Sequence, residues 1–303
     1  MWWILLGIAV IFCIVITIQY NRDIKTAYNR LEDYDVKMMD TRFGVVSYVD
    51  EGKGETILIA HGIFGGYDQG YASLASLVGN NYRKIAVSRF GYPGTELPDD
   101  PAPANQAASY AELLDNLGIG RVYILATSAG GAAGLRFVLD HPEKTKGLIL
   151  LSSGAPDKQR SKTELKELGM TGPPAVIVHD FPMWFVMKYF GFIFNSMMGA
   201  GADSHELLQM ILPVAPRRQG IIADTNITNV DMTLHYDEYV LEDIKPPILV
   251  LHAKDDPMAP FENIEALLAR VNAETAVFKT GGHLLSGNDG LTKIIEDFIE
   301  KTR

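Results

Sequence analysis

Val122-Tyr-Ile-Leu-Ala-Thr-Ser-Ala-Gly-Gly-Ala-Ala-Gly134 is the stretch on which the architecture turns. An apolar run leads to a Ser between small residues, and an Ala/Gly-rich segment able to begin a helix follows. A buried strand that turns sharply into a helix around a Ser exposes one hydroxyl as a nucleophile, and the residues two before and two after it must then be small. Here they are Ala126 and Gly130, an A-x-S-x-G version of the G-x-S-x-G turn. Ala129-Gly-Gly-Ala-Ala-Gly134 also approaches the dinucleotide fingerprint G-x-G-x-x-G, with Ala in place of the first Gly. That fingerprint belongs on the first strand of its unit, with an acid ending the next strand. Three strand-like runs precede this one and the next ends near Ser152 without an acid, so nucleotide binding is set aside.

Upstream, Val45-Val-Ser-Tyr-Val49 alternates like a strand and Asp50-Glu-Gly-Lys-Gly54 supplies a turn. Thr56-Ile-Leu-Ile-Ala60 is a short apolar run, as in a strand buried on both faces. It ends in His61-Gly-Ile-Phe-Gly-Gly66, whose glycines let backbone N–H groups approach a ligand; a plain turn reads equally well from these residues alone. Lys84–Ser88 is a further strand, residues 104–117 form an amphipathic helix closed by Gly118, and Thr145–Leu151 is another buried strand. Strand, loop and helix in this rhythm predict a doubly wound, mostly parallel α/β sheet with ligands at the carboxyl ends of its strands.

The rhythm stops after Pro156. Asp157 to Glu167 reads as a solvated helix, and Phe181 to Met198 carries one charge, Lys188. A second membrane span there would put Ser128 and the C-terminal strands on opposite sides of a bilayer, so a cap helix packed on the core is the better reading. Its aromatic and Met-rich surface also suits an acyl pocket or contact with lipid. His179, His205 and His235 lack metal-ligand spacing and read as structural. Pro247–Leu251 and Ala276–Lys279 are the last strands, and each leads into a loop with chemistry: His252-Ala-Lys-Asp-Asp-Pro-Met-Ala-Pro260 and Thr280-Gly-Gly-His283. Ser, then acid, then His is the chain order used by hydrolases with this elbow. Asp255 and Asp256 compete for the acid's place, and a metal site from His252 with these two acids is the other reading.

From about Arg42 onward the chain resembles α/β-hydrolase-fold serine hydrolases of the esterase and lipase kind, similar to monoacylglycerol-lipase-type enzymes. The H-G-x-x-G-G box, the elbow, the D-x-x-x-P loop and the G-G-H loop occur in the family's order. The resemblance implies a helical cap inserted after the sixth strand. It implies Ser128 as nucleophile, His283 as the base that takes and returns its proton, and Asp256, four residues before Pro260, as the acid orienting that imidazole. Asp255 is then a turn or solvent residue. It further implies an oxyanion hole from the backbone N–H groups of Ala129 and of Ile63, with Phe64 the lesser choice. Ala126 departs from the family's Gly and brings one extra methyl against the following helix. A Ser nucleophile excludes the relatives that use Asp. No cofactor and no metal are required.

A formal charge of −10 over 303 residues excludes the clustered Lys and Arg that nucleic acid needs. Cys13 is the sole cysteine, so there is no internal disulfide and no thiol chemistry. From Trp2 to Ile18 no residue is charged; that run spans about 25 Å as a helix. No basic residue precedes the run and no small-residue cleavage site follows it, so it is read as an uncleaved anchor rather than a signal peptide. Arg22, Lys25 and Arg30 follow it, which places the remainder in the cytoplasm. The expected organisation is an anchor over residues 1–20, a stalk over 21–41, core over 42–156, cap over 157–244 and core again over 245–303. The function expected is hydrolysis of a small, lipophilic acyl ester through an acyl-enzyme. The alternatives are an acyltransferase or a hydrolase of amide or C–C bonds at the same site, or a membrane-tethered ligand-binding protein with little turnover.

Overall fold

The apolar and alternating runs of the sequence become strands β1 (Lys37–Thr41), β2 (Gly44–Glu51), β3 (Glu55–Ala60), β4 (Tyr82–Val87), β5 (Val122–Thr127), β6 (Thr145–Leu151), β7 (Ile248–Ala253) and β8 (Ala273–Phe278) in the computed structural model, which describes residues 1–168, 172–199 and 205–303. They form one sheet in the order β1-β2-β4-β3-β5-β6-β7-β8. The β1–β2 and β2–β4 pairs are antiparallel and the remaining pairs parallel. The fold is therefore the doubly wound α/β architecture expected.

The helices among the described residues are α1 (Trp2–Glu32), α2 (Tyr67–Leu77), α3 (Pro103–Asn116), α4 (Gly131–Asp140), α5 (Lys162–Leu168), α6 (Asp180–Met198), α7 (His205–Gln209), α8 (Arg218–Ala223), α9 (Asn229–Leu234), α10 (Phe261–Leu268) and α11 (Leu291–Thr302). Alternate strand residues face opposite ways, so each central strand feeds two cores. Leu58, Ile124, Leu148 and Val250 pack with α3, α4 and α10 on one face. Ile59, Leu125, Ile149 and Leu249 pack with α2 and α11 on the other. Neither face is left to solvent, which is why β3, β5, β6 and β7 read as continuous apolar runs.

Between β6 and β7 the described residues contain helices and no strand. α8 and α9 are joined through a π-helical turn, Asp224–Thr228. A third apolar cluster lies here, and it joins the cap (Val178, Met183, Trp184) to Phe64 and Tyr92 of the core and to Ile16 and Ala27 of α1. The solvated helix expected over 157–167 begins later, at Lys162. The side chain of His205 lies outside the described residues.

Residues 21–41, expected as a stalk, hold regular secondary structure. α1 runs unbroken to Glu32, and residues 37–41 are an edge strand paired to β2. Ala27 is buried with Tyr20 and Ile24 half-buried in the cap cluster, and Leu31 is buried in the sheet-side core with Tyr67 and Leu74. The physical reason is a spacing of four, three and four residues, which puts these four side chains on one helical face, the first three against the cap and Leu31 against the core. α1 is long and apolar enough to cross a membrane, with a mean hydropathy of 2.4 over its most apolar stretch, 6% of it buried.

Candidate active site

β5 delivers Ser128 into a left-handed backbone conformation, φ +52°. That conformation is unfavourable for a residue with a side chain, and the surroundings over-determine it. A Cβ at Gly130 would lie 2.1 Å from the Ala60 carbonyl oxygen, so glycine alone fits two residues beyond the Ser. The Ser153 hydroxyl donates to the Ser128 carbonyl at 3.1 Å and fixes the turn from the end of β6. Ala126, the residue that departs from the family pattern, finds its space at Gly134. A Cβ there would meet the Ala126 methyl at 2.5 Å. The missing side chain at Gly134 leaves the room that the Ala126 methyl takes.

This contact makes a prediction. Gly134→Ala on its own overpacks the contact and costs about 1–3 kcal/mol, despite the better helix propensity of Ala. Adding Ala126→Gly to it returns stability to wild type or above, as measured by denaturant unfolding of the single and double variants.

The Ser128 hydroxyl donates to His283 Nε2 at 2.8 Å. His283 Nδ1–H donates to Asp256, 3.0 Å from Oδ1 and 2.9 Å from Oδ2. Both partners are buried. Burial raises the Asp256 carboxyl, but the hydrogen bond and charge of His283 and the amides of Ala259 and Met258 outweigh it, leaving it below its ordinary value. Those amides donate to Oδ1 at 2.9 and 2.8 Å. The carboxylate is therefore held from three directions and cannot rotate away from the imidazole.

His252 stands behind this acid. Its Nε2–H donates to the Ala259 carbonyl at 2.8 Å and lies 3.7 Å from Asp256 Oδ2. Burial lowers its pKa and keeps it neutral. Asp255, expected to be a turn or solvent residue, is exposed but has a job. Its carboxylate accepts from the Gly282 amide at 2.9 Å and the Gly281 amide at 3.3 Å, so it holds the loop that carries His283. Adjacent carboxylates thus divide the work, one on the imidazole and one on the backbone beside it.

The loop after β3 lies against Ser128: a Cβ at Gly62 would be 3.1 Å from Ser128 Cβ. Ile63 follows it at the wall of the same cavity. Ala129 opens the helical turn after the Ser, where N–H groups lack intrahelical acceptors. What the sequence did not reveal is how this loop is held. The Arg89 amide donates to His61 Nε2 at 3.0 Å, so the His61 proton is on Nδ1, which donates to the Gly62 carbonyl at 2.7 Å. The Arg89 side chain donates to the His61 carbonyl at 2.8 Å and forms a two-point pair with Asp224 of the cap at 2.6 and 2.5 Å. Tyr92 donates to the same carboxylate at 2.5 Å.

Arg89 and Asp224 are both almost wholly buried. Burial works against the charged guanidinium, but Asp224 and Tyr92 prevail and hold its pKa above the ordinary value. Burial, then the Arg89 charge, pushes His61 well below its usual range, so this imidazole is neutral. A second buried pair, Arg217 with Asp68 at 2.5 Å, ties the cap to α2.

Ser128, Ala129, Ile63 and His283 open onto a cavity of about 470 Å³. One part of its wall is Leu207, Leu208 and Ile211 with Gln69 and Ser73; another is Met232, Met258 and Asn263. Among the described lining residues there is no Asp, Glu, Lys or Arg. Such a space accepts an uncharged, largely apolar ligand and penalises an ionised one.

Residues 57–290 match the family model described as the alpha/beta hydrolase family. The chain is 36% identical over 112 residues to an uncharacterized hydrolase, YcgS, of Bacillus subtilis; the match covers 36% of this chain and 38% of that protein. It is 24% identical over 279 residues to a 2-hydroxy-6-oxo-6-phenylhexa-2,4-dienoate hydrolase of Burkholderia cepacia, covering 82% and 89% of the two chains. Among solved structures, a membrane phospholipase A described as a bacterial virulence factor superimposes with a TM-score of 0.68 at 16% identity, covering 100% of this chain and 99% of that one. At that identity the likeness speaks for the fold.

Proposed function

Because the chain belongs to the alpha/beta hydrolase family, we propose that it is a serine hydrolase of neutral, lipophilic carboxylic esters. Ser128 attacks the acyl carbon, and His283 takes its proton and returns it to the leaving alcohol. Asp256 orients the imidazole and stabilises its charged form. The backbone N–H groups of Ile63 and Ala129 stabilise the oxyanion of the tetrahedral intermediate. Water then releases the acid by the same route in reverse, and no cofactor or metal is needed.

One observation carries this reading: the continuous hydrogen-bonded set Ser128–His283–Asp256 at the wall of a cavity without charged side chains among its described lining. The same feature weighs against carbon–carbon bond hydrolysis of a dienoate, which the name of the Burkholderia relative brings to mind. A dienoate carries a carboxylate, and no lining cation among the described residues would compensate its desolvation.

We further read α1 as a retained anchor that leaves the catalytic domain on the cytoplasmic side. Its second half is packed into the cap, whereas removing a signal peptide would expose that apolar face. Arg22, Lys25 and Arg30 follow the apolar run on the side that faces the cytoplasm in anchored proteins.

The test is the rate on p-nitrophenyl esters of increasing acyl length. Each methylene buried contributes about 0.8 kcal/mol, so kcat/KM rises roughly fourfold per added carbon until the cavity is filled. An ester of the same length with a terminal carboxylate falls well below that line. A flat profile, or equal rates for charged and neutral acyl chains, overturns the lipophilic-ester reading.

A further inference from the structure

α1 and α6 run antiparallel. Tyr28 donates to Asp180 at 3.1 Å, Trp184 and Lys188 donate to Asp23 at 3.1 and 3.0 Å, and Tyr189 donates to Gln19 at 2.6 Å. As the numbering falls along α1 toward its apolar run it rises along α6, so Tyr189 sits level with Gln19, where that run ends. Directly beyond this level α6 leaves helical geometry at Phe190 (φ −126°, ψ +22°) and continues to Met198. The segment 190–198 carries no charged residue, and the side chains of Phe190 and Phe192 are 42% and 70% exposed.

The far end of the same segment belongs to the site. Met198 lines the Ser128 cavity, and the backbone of Gly199 packs on that of Gly282, next to His283. A Cβ at Gly199 would come within 2.3 Å of Gly282 Cα. One helical half-length, about 14 Å for nine residues, therefore links the level at which α1 leaves its apolar run to the loop that carries His283. Exposed aromatic side chains such as Phe190 and Phe192, on an uncharged segment at the end of a span, are matched by the boundary region of a bilayer, where aromatic rings insert.

We propose that the second half of α6 rests on the same phospholipid bilayer that α1 crosses, and that the acyl ester reaches Ser128 along it directly from the lipid. The proposal rests on the ester-hydrolase and anchor readings and adds a site and a route to them. Lys188, the sole charge of α6 after Asp180, pairs with Asp23, which Arg22 also engages, so these charges gather at the level of the headgroups and leave the segment beyond uncharged. The uncharged cavity lining continues the apolar path inward.

The experiment uses the full chain in phosphatidylcholine–phosphatidylglycerol vesicles, with Cys13→Ser providing a background free of cysteine. Nitroxides are attached at Phe192→Cys and, as a control within the apolar run, at Val10→Cys. The expected result is that both labels collide more readily with oxygen than with a water-soluble nickel complex. A label at 192 open to nickel, with the label at 10 sheltered, overturns the docking proposal alone; labels open to nickel at both positions overturn the anchor reading with it.

Activity supplies the second readout. The Phe190→Ser, Phe192→Ser double variant is expected to hydrolyse a long-chain monoacylglycerol in vesicles about tenfold more slowly, with p-nitrophenyl acetate hydrolysis unchanged. Equal losses on both substrates overturn the route from the bilayer. Absence of p-nitrophenyl acetate hydrolysis in the unsubstituted chain overturns the ester reading beneath it.

Discussion

Ser128→Ala lowers the turnover of a p-nitrophenyl ester by about 10⁵–10⁶-fold, and the protein stays folded. The size follows from the unity of the set: without the hydroxyl, His283 has no nucleophile to activate, and removing either costs nearly as much as removing all. The fold survives because Ser128 sits in a left-handed conformation held by Gly130, Gly62 and Ser153 around it rather than by its own hydroxyl. The residual rate reports what the Ile63 and Ala129 amides and the cavity contribute unaided. The check is labelling with a fluorophosphonate probe together with steady-state rates. Undiminished labelling of the variant would remove Ser128 from the mechanism, and with it the reading of this site.

The second large effect is structural and lies outside the reacting set. Arg89→Met leaves the Asp224 carboxylate in a buried position with Tyr92 as its one side-chain hydrogen-bond partner among the described residues and frees the His61 carbonyl. Removing one member of a buried pair costs about 3–5 kcal/mol, because the remaining charge stays desolvated and uncompensated. Asp224→Leu strands the Arg89 guanidinium to a similar extent. The double variant Arg89→Met, Asp224→Leu recovers much of the loss, since neither charge then remains. Denaturant unfolding of the four proteins gives the coupling, and strictly additive losses would show that the pair acts independently. The reacting hydroxyl is untouched by these changes, yet the loop from His61 to Gly66 loses its anchor. Acyl transfer in Arg89→Met is therefore expected to fall with stability rather than remain at wild-type level.

Arg89 illustrates why part of the site was hidden. It appeared in the sequence as one residue of a turn-forming loop, Arg89-Phe-Gly-Tyr-Pro-Gly94, and its partner lies 135 positions away. Nothing in either neighbourhood signals the other, because a bidentate ion pair constrains two side chains in space and leaves no periodic trace in the chain. Asp68 and Arg217, 149 positions apart, are the same case. Asp255 is the exposed turn residue expected, and its further contacts were hidden for a related reason. The amides it accepts belong to a loop 27 residues later, and an acid on a turn looks solvated until that loop is folded back.

The N-terminal segment differs. Tyr20, Ile24, Ala27 and Leu31 carry a helical spacing that is present in the sequence. Amid Arg22, Asp23, Lys25, Arg30 and Glu32 the stripe is narrow and includes an Ala, so it becomes evident as a buried face only when the cap and core residues that cover it are known.

The sequence by itself determined the sheet and the order of the chemistry. Buried parallel strands must be short apolar runs, and a Ser at a strand-to-helix elbow must have small neighbours. An acid and a His on the loops after later strands then fall at the same edge of the sheet. These are local demands of backbone geometry and burial, so they are written locally. The tertiary structure alone decided that Gly134 accommodates Ala126, that Arg89 and Asp224 clamp the loop beside Ser128, and that α6 packs antiparallel on α1 up to the level where its apolar run ends. Each of these depends on side chains distant in sequence meeting at contact distance, and only the folded chain sets that distance.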